Sequence, residues 1–213
     1  MKLIVTRPQH DVTTRYISAW AEEVIAFAKV KSIEVIDLIK DKAKRKELEG
    51  RIKKLLPRLI FLNGHGDHDS VAGQDNDVLI KAGDNHDLLA GKITYALSCN
   101  SGETLGPKVV ENKNTSYIGY KDDFIFVADG RYVAKPLDDP RAKPFMESSN
   151  QVMMSILKGH STQEASDRSR DVFREHYIKL TSSTTDIDSL QAAQFLWWNM
   201  RNQVCLGDKD SKI

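Results

Sequence analysis

The chain is predicted to be an α/β protein: a three-layer, doubly wound, mostly parallel sheet with a mainly helical C-terminal part. Three observations predict it. Leu59-Ile60-Phe61-Leu62 and Ile93-Thr94-Tyr95-Ala96-Leu97 are continuous apolar runs, the pattern of strands covered on both faces. Amphipathic stretches at helical spacing separate such runs through the first half, which favours parallel pairing with helices on both sides. After Pro144 the periodicity is helical.

In chain order, Leu3 to Val5 reads as a strand ended by Arg7-Pro8. Thr13 to Lys29 reads as a helix, with Tyr16, Trp20, Val24 and Phe27 on one face. Ile33 to Leu38 is a second strand, and Lys42 to Leu56 a charged helix stopped by Pro57. Between the two apolar strands lies a Gly-, Asp- and Asn-rich stretch, Gly64 to Gly91. Within it Val78-Leu79-Ile80 suggests a short strand and Asp87 to Ala90 a helical turn. Thr115 to Tyr120 is the next strand. A helix follows from Pro144 to Gly159, and Ser161 with Glu164 has capping-box spacing for another. Thr181 to Asp186 reads as a loop and Ile187 to Val204 as a last helix, whose Phe195, Trp197 and Trp198 are expected to pack in the core. One domain over 1–213 is expected: a sheet core at 1–130, helices at 131–207 and a frayed tail at 208–213.

The 213 residues carry 31 Lys and Arg against 30 Asp and Glu, for a net charge of +1. That balance gives no electrostatic basis for binding nucleic acid or an anionic membrane. No apolar run reaches the length of a membrane span. Cys99 and Cys205 form neither a disulfide framework nor a CxxC pair, consistent with a reduced, cytoplasmic setting.

Two segments carry chemistry. Asn63-Gly64-His65-Gly66-Asp67 follows one apolar strand, and Ser98-Cys99-Asn100-Ser101-Gly102 follows another. In an open α/β sheet, ligands bind beyond the carboxyl ends of the strands, and the interval from His65 to Cys99 is ample for a right-handed crossover. A thiolate attacks a carbonyl far better than a thiol, and a neighbouring imidazole can take its proton. The backbone N–H groups of Gly66 and Cys99 are candidates for the oxyanion hole. Asp122 and Asp123 follow the next strand, where they would either select Arg or Lys before the cleaved bond or form a solvated turn beside Lys121.

The pattern of apolar strand-His-Gly followed by apolar strand-Ser-Cys-x-Ser-Gly resembles the caspase-like cysteine peptidases: caspases, metacaspases, gingipains, separases and CHAT domains. Tyr95 to Gly102 is similar to the nucleophile region of metacaspases and CHAT domains, and Phe145 to Phe173 to a helical pair of CHAT domains. The resemblance implies a caspase-haemoglobinase-like fold and an endopeptidase acting on polypeptides without cofactor or metal. It makes Cys99 the nucleophile, His65 the catalytic histidine, and the amides of Gly66 and Cys99 the oxyanion hole. Leu97 stands where metacaspases have an acidic residue. No regulatory domain is evident, which leaves room for a regulatory protein partner.

Two other readings stand beside this one. His65, Asp67 and His68 offer imidazole and carboxylate groups suited to zinc or manganese, giving a metal-dependent hydrolase. A non-catalytic binding module of the same fold is the second. His10, His86, His160 and His176 lack motif context, so surface or capping roles are expected. Cys205 reads as packing.

Overall fold

The computed structural model describes residues 1–183 and 187–213. Its six-stranded sheet contains β1 (Lys2–Arg7), β2 (Glu34–Ile39), β3 (Leu59–Asn63), β7 (Ile93–Leu97), β8 (Ser116–Tyr120) and β9 (Gln203–Gly207). Their spatial order is β2-β1-β3-β7-β8-β9. The first five are parallel and β9 is antiparallel to β8. A separate antiparallel sheet holds β4 (His65–Asp67), β5 (Ser70–Ala72) and β6 (Val78–Lys81).

The main sheet feeds two cores because side chains alternate across it. Leu3, Val5, Leu59, Phe61, Ile93, Tyr95 and Leu97 face one core with α1 (Val12–Val30) and α4 (Lys143–Leu157). Ile4, Ile60, Leu62 and Ala96 face the other with α2 (Arg45–Leu55), α3 (Leu105–Val109) and the small sheet. Both faces are dry, so the strands read as unbroken apolar runs. Phe61 stacks on Tyr95 at 5.2 Å, joining the two central strands from which the candidate motifs emerge.

Buried charge fixes the N-terminal end of the site. The Arg7 side chain is 7% exposed. It donates to both carboxylate oxygens of Asp37 at 2.9 and 2.8 Å, to Glu22 and to the Ser18 carbonyl. Burial opposes its charge, but Asp37 and Glu22 outweigh that and raise its pKa. The loop that follows is tied to the Gly64–Gly91 stretch where Gln9 N–H donates to the Gln74 side chain at 2.9 Å.

Several expectations need correction. The last helix, α6 (Ile187–Asn202), stops short of Val204, and residues 203–207 form the antiparallel edge strand. The helical C-terminal part therefore completes the sheet begun by the N-terminal half. The tail at 208–213 is docked: Ser211 is buried, its carbonyl accepts from Thr162 N–H, and its hydroxyl accepts from Arg58. Thr181 to Ser183 belong to α5 (Thr162–Ser183), while the rest of that expected loop lies outside the described residues. Phe195 packs partly buried against the core, but Trp197 is exposed and Trp198 half-buried, so the two tryptophans do not form core. They line a surface pocket of about 470 Å³ with Ile125, Tyr177, Gln194 and Phe195. The Ser161–Glu164 cap is present in both directions. No helix of the described residues is long and apolar enough to cross a membrane.

The two kinds of aromatic position separate in a stability measurement. Phe61→Ala removes a fully buried stacked ring and is expected to cost about 3–5 kcal/mol. Trp197→Ala at the surface is expected to cost under about 1 kcal/mol. Denaturant midpoints at unchanged slope report both.

Candidate functional site

Parallel pairing of β3 with β7 puts Asn63 opposite Leu97, so both chemistry-bearing segments leave the sheet at the same edge. Gly64 N–H reaches back to the Leu97 carbonyl at 3.4 Å. Close approach demands glycine at the next turn. A Cβ on Gly66 would stand 2.1 Å from the Cys99 carbonyl oxygen and 2.8 Å from its nitrogen. The backbones of Gly66 and Cys99 therefore lie against each other, and any larger residue would wedge β4 away from Cys99. Asn100 has a left-handed backbone (φ 56°), which asparagine tolerates better than most residues. Its N–H donates to the Asp122 carbonyl at 3.1 Å.

His65 is half-exposed, and its Nε2 lies 2.5 Å from Asp11 Oδ2. Asp11 is the N-cap of α1. Its Oδ1 accepts from Thr14 N–H at 2.7 Å, and the Thr14 hydroxyl closes a capping box. Spending Oδ1 on the cap fixes the plane of the carboxylate, so that Oδ2 faces the imidazole. Partial burial works against ionisation of Asp11. The hydrogen bonds from His65 and Thr14 prevail and hold its carboxyl below the usual carboxylate range. His10 joins the group, its Nε2 3.4 Å from the same Oδ2 and its ring 5.7 Å from that of His65 in an edge-to-face arrangement. The sequence marks neither His10 nor Asp11 as part of a site, and for His10 it predicts only a surface or capping role. One available signal was position: both follow the carboxyl end of β1, the same edge of the sheet.

Cys99 is half-buried, and its Sγ lies 3.9 Å from the Phe124 carbonyl oxygen. Among the described residues no hydrogen bond joins it to His65. Burial, and then the carboxylate of Asp123, raise the thiol pKa, offset in part by the Phe124 contact. The two carboxylates after β8 differ in their engagement. Asp122 Oδ1 accepts from Asp123 N–H at 2.8 Å, whereas Asp123 Oδ1 accepts from the Asn100 side chain at 2.7 Å and acts on the thiol. Cys205 lies in β9, partly buried against the core.

The expected triplet of His65, Asp67 and His68 does not converge. His68 and Asp67 are exposed and bond each other. The His68 carbonyl accepts the N–H groups of Thr104 and Leu105, at 3.0 and 2.9 Å, at the start of α3. Among the described residues, the ligand atoms that come within 4.8 Å of one another are those of His10, Asp11 and His65.

Two outcomes test this geometry. The folded-state pKa of Asp11 is depressed, so its contribution is fully present above the ordinary aspartate value of about 3.9 and is lost as pH falls through the lower folded value. The stability gap between wild type and Asp11→Asn is therefore expected to shrink as pH falls below about 5 and to close once pH has passed the depressed folded value. Asparagine keeps the cap, so the gap reports the charge. Gly66→Ala is expected to destabilise by about 1–3 kcal/mol through the clash with Cys99, whereas Gly83→Ala, at an open turn with φ 76°, tests backbone strain alone.

No protein-family model matches the chain, and a search of curated proteins found no match.

Proposed function

We propose that the chain is a cysteine endopeptidase of caspase-like architecture, with Cys99 as nucleophile and His65 as base. The observation that carries the proposal is the contact of Gly66 with the Cys99 backbone at the carboxyl edge of β3 and β7. It brings the histidine and cysteine segments to one place without any direct sequence link. The sheet order and the antiparallel last strand are compatible with the resemblance.

The chemistry follows from the residues present. Asp11 holds the imidazole through Nε2, orients it, and stabilises the imidazolium that forms when it takes a proton. The other ring nitrogen is then the one for the thiol. Attack by the Cys99 thiolate on a peptide carbonyl forms a tetrahedral oxyanion, which the N–H groups of Gly66 and Cys99 would receive. His65 returns its proton to the departing amine, and water then hydrolyses the acyl-enzyme. In the free protein the raised thiol pKa keeps Cys99 protonated near neutrality. The proton transfer therefore belongs to the substrate-bound state, after rotation of half-exposed His65 and the thiol toward each other. The thiol's present contact with Phe124 instead favours, as a second reading, a non-catalytic binding module.

The two readings separate experimentally. Iodoacetamide is expected to alkylate Cys99 slowly at neutral pH, faster as pH rises past the ordinary thiol range. A peptidyl chloromethyl ketone, which occupies the cleft, is expected to label Cys99 well ahead of Cys205. Cys99→Ala and His65→Ala are each expected to abolish peptide hydrolysis, with the fold retained by circular dichroism. Equal labelling of both cysteines by the peptidyl reagent, or full activity in Cys99→Ala, would reject the peptidase.

Asp123 rather than Asp122 is assigned to a basic residue before the cleaved bond, because its carboxylate acts on the thiol. It is exposed, so its contact with Arg or Lys is worth at most about 1 kcal/mol, or about fivefold in turnover. Asp123→Asn is expected to reduce cleavage after Arg by about that factor and Asp122→Asn to leave it unchanged. Fluorogenic peptides differing only at this residue report both.

A further inference from the structure

The cluster of His10, Asp11 and His65 has a second chemistry. We propose that it binds a divalent transition-metal ion, zinc above all, through Nε2 of both imidazoles and Oδ2 of Asp11. The ligand set of two imidazoles and one carboxylate is borderline-soft and suits zinc over calcium or magnesium. Bonds of about 2.0–2.1 Å in a tetrahedral site place neighbouring donor atoms about 3.4 Å apart. His10 Nε2 already stands 3.4 Å from Asp11 Oδ2, and one ligand atom from each of the three residues lies within 4.8 Å of the other two. His65 is closer, at 2.5 Å, and must swing back by roughly 1 Å to admit an ion of this size. Its side chain is 39% exposed, so the swing displaces no packed core.

Two features hold the donors in place beforehand. Asp11 Oδ1 is committed to the cap of α1, which keeps Oδ2 pointed at the imidazoles. The His10 side chain is only 13% exposed, so packing limits its rotation, and the 3.3 Å contact of its Nε2 with Asn76 Oδ1 is given up when that nitrogen takes the metal. A zinc ion with these three ligands keeps one position open, filled by water. Each imidazole binds through the lone pair of Nε2, so any proton on that nitrogen is released or moves to Nδ1. Among the described residues, Nδ1 of His10 is buried with no hydrogen-bond partner. Outer carboxylates ordinarily strengthen a histidine ligand, and this one lacks such support. The site is therefore suited to reversible occupancy.

Occupancy has a functional consequence that rests on the peptidase reading. Zinc would take His65 Nε2 from Asp11, removing the contact that orients the base. The metal would act as a reversible brake rather than a cofactor.

The test titrates the whole chain with zinc against a chromophoric chelator, with no substrate present. Wild type and Cys99→Ala are expected to bind one ion with equal affinity. His10→Ala and Asp11→Asn are each expected to bind at least about 10-fold more weakly, at or beyond the loss from removing an outer-shell group. Cobalt substitution is expected to give a spectrum without thiolate charge transfer. Loss of binding in Cys99→Ala, or affinities within about twofold of wild type in both His10→Ala and Asp11→Asn, would overturn the proposal. Asp11→Asn keeps a capping residue, so its result stands even where His10→Ala perturbs the loop. A peptide-hydrolysis assay run in parallel separates the two readings: an inactive protein that still binds zinc through these residues removes the peptidase and leaves the metal site.

Discussion

The structure depends on one constraint, the register of β3 on β7 between two dry faces. Parallel pairing sets Asn63 opposite Leu97. A shift of β3 by one residue would turn Phe61 from one core to the other, exchanging every inward side chain of that strand. Because the apolar volume on both faces opposes that exchange, the points where the chain leaves the sheet are fixed. The contact of Gly66 with Cys99 follows from them. The small sheet of β4, β5 and β6 and the docking of His68 on α3 then hold the histidine segment from its far side.

A second anchor comes from the opposite end of the chain's first crossover. Arg7, buried and doubly paired with Asp37, fixes the end of β1 against β2. The short loop after it begins α1 with Asp11. One carboxylate consequently serves two masters, a helix cap through Oδ1 and an imidazole through Oδ2. The cap is local and obligatory, since the first N–H groups of a helix need acceptors. The contact with His65 uses the oxygen that the cap leaves over, and it is this leftover oxygen that gives the site its electrostatic character.

Electrostatics around the thiol run against a resting ion pair. Burial and Asp123 both disfavour the thiolate, and the imidazole is engaged elsewhere. In the peptidase proposed above, the same charge would suit a cationic side chain of the substrate, and a bound basic residue would neutralise Asp123 and ease formation of the thiolate.

The sequence by itself determined the sheet's five parallel strands, the principal helices and the placement of His65 and Cys99 after two of those strands. It could do so because continuous apolar runs and helical stripes are local consequences of burial. The tertiary structure alone decided the rest. β4 and β5 lie in a Gly- and Asp-rich stretch with little strand propensity, and exist because they pair with β6. The helical pattern predicts a last helix running to Val204, into what is the start of β9; only the open edge of β8 makes Gln203–Gly207 a strand. The tryptophans of α6 carry an apolar pattern that says nothing of which face is covered. His10 and Asp11 lie more than fifty residues before His65. No local pattern joins them, and their meeting is set by strand order, which places the ends of β1 and β3 side by side.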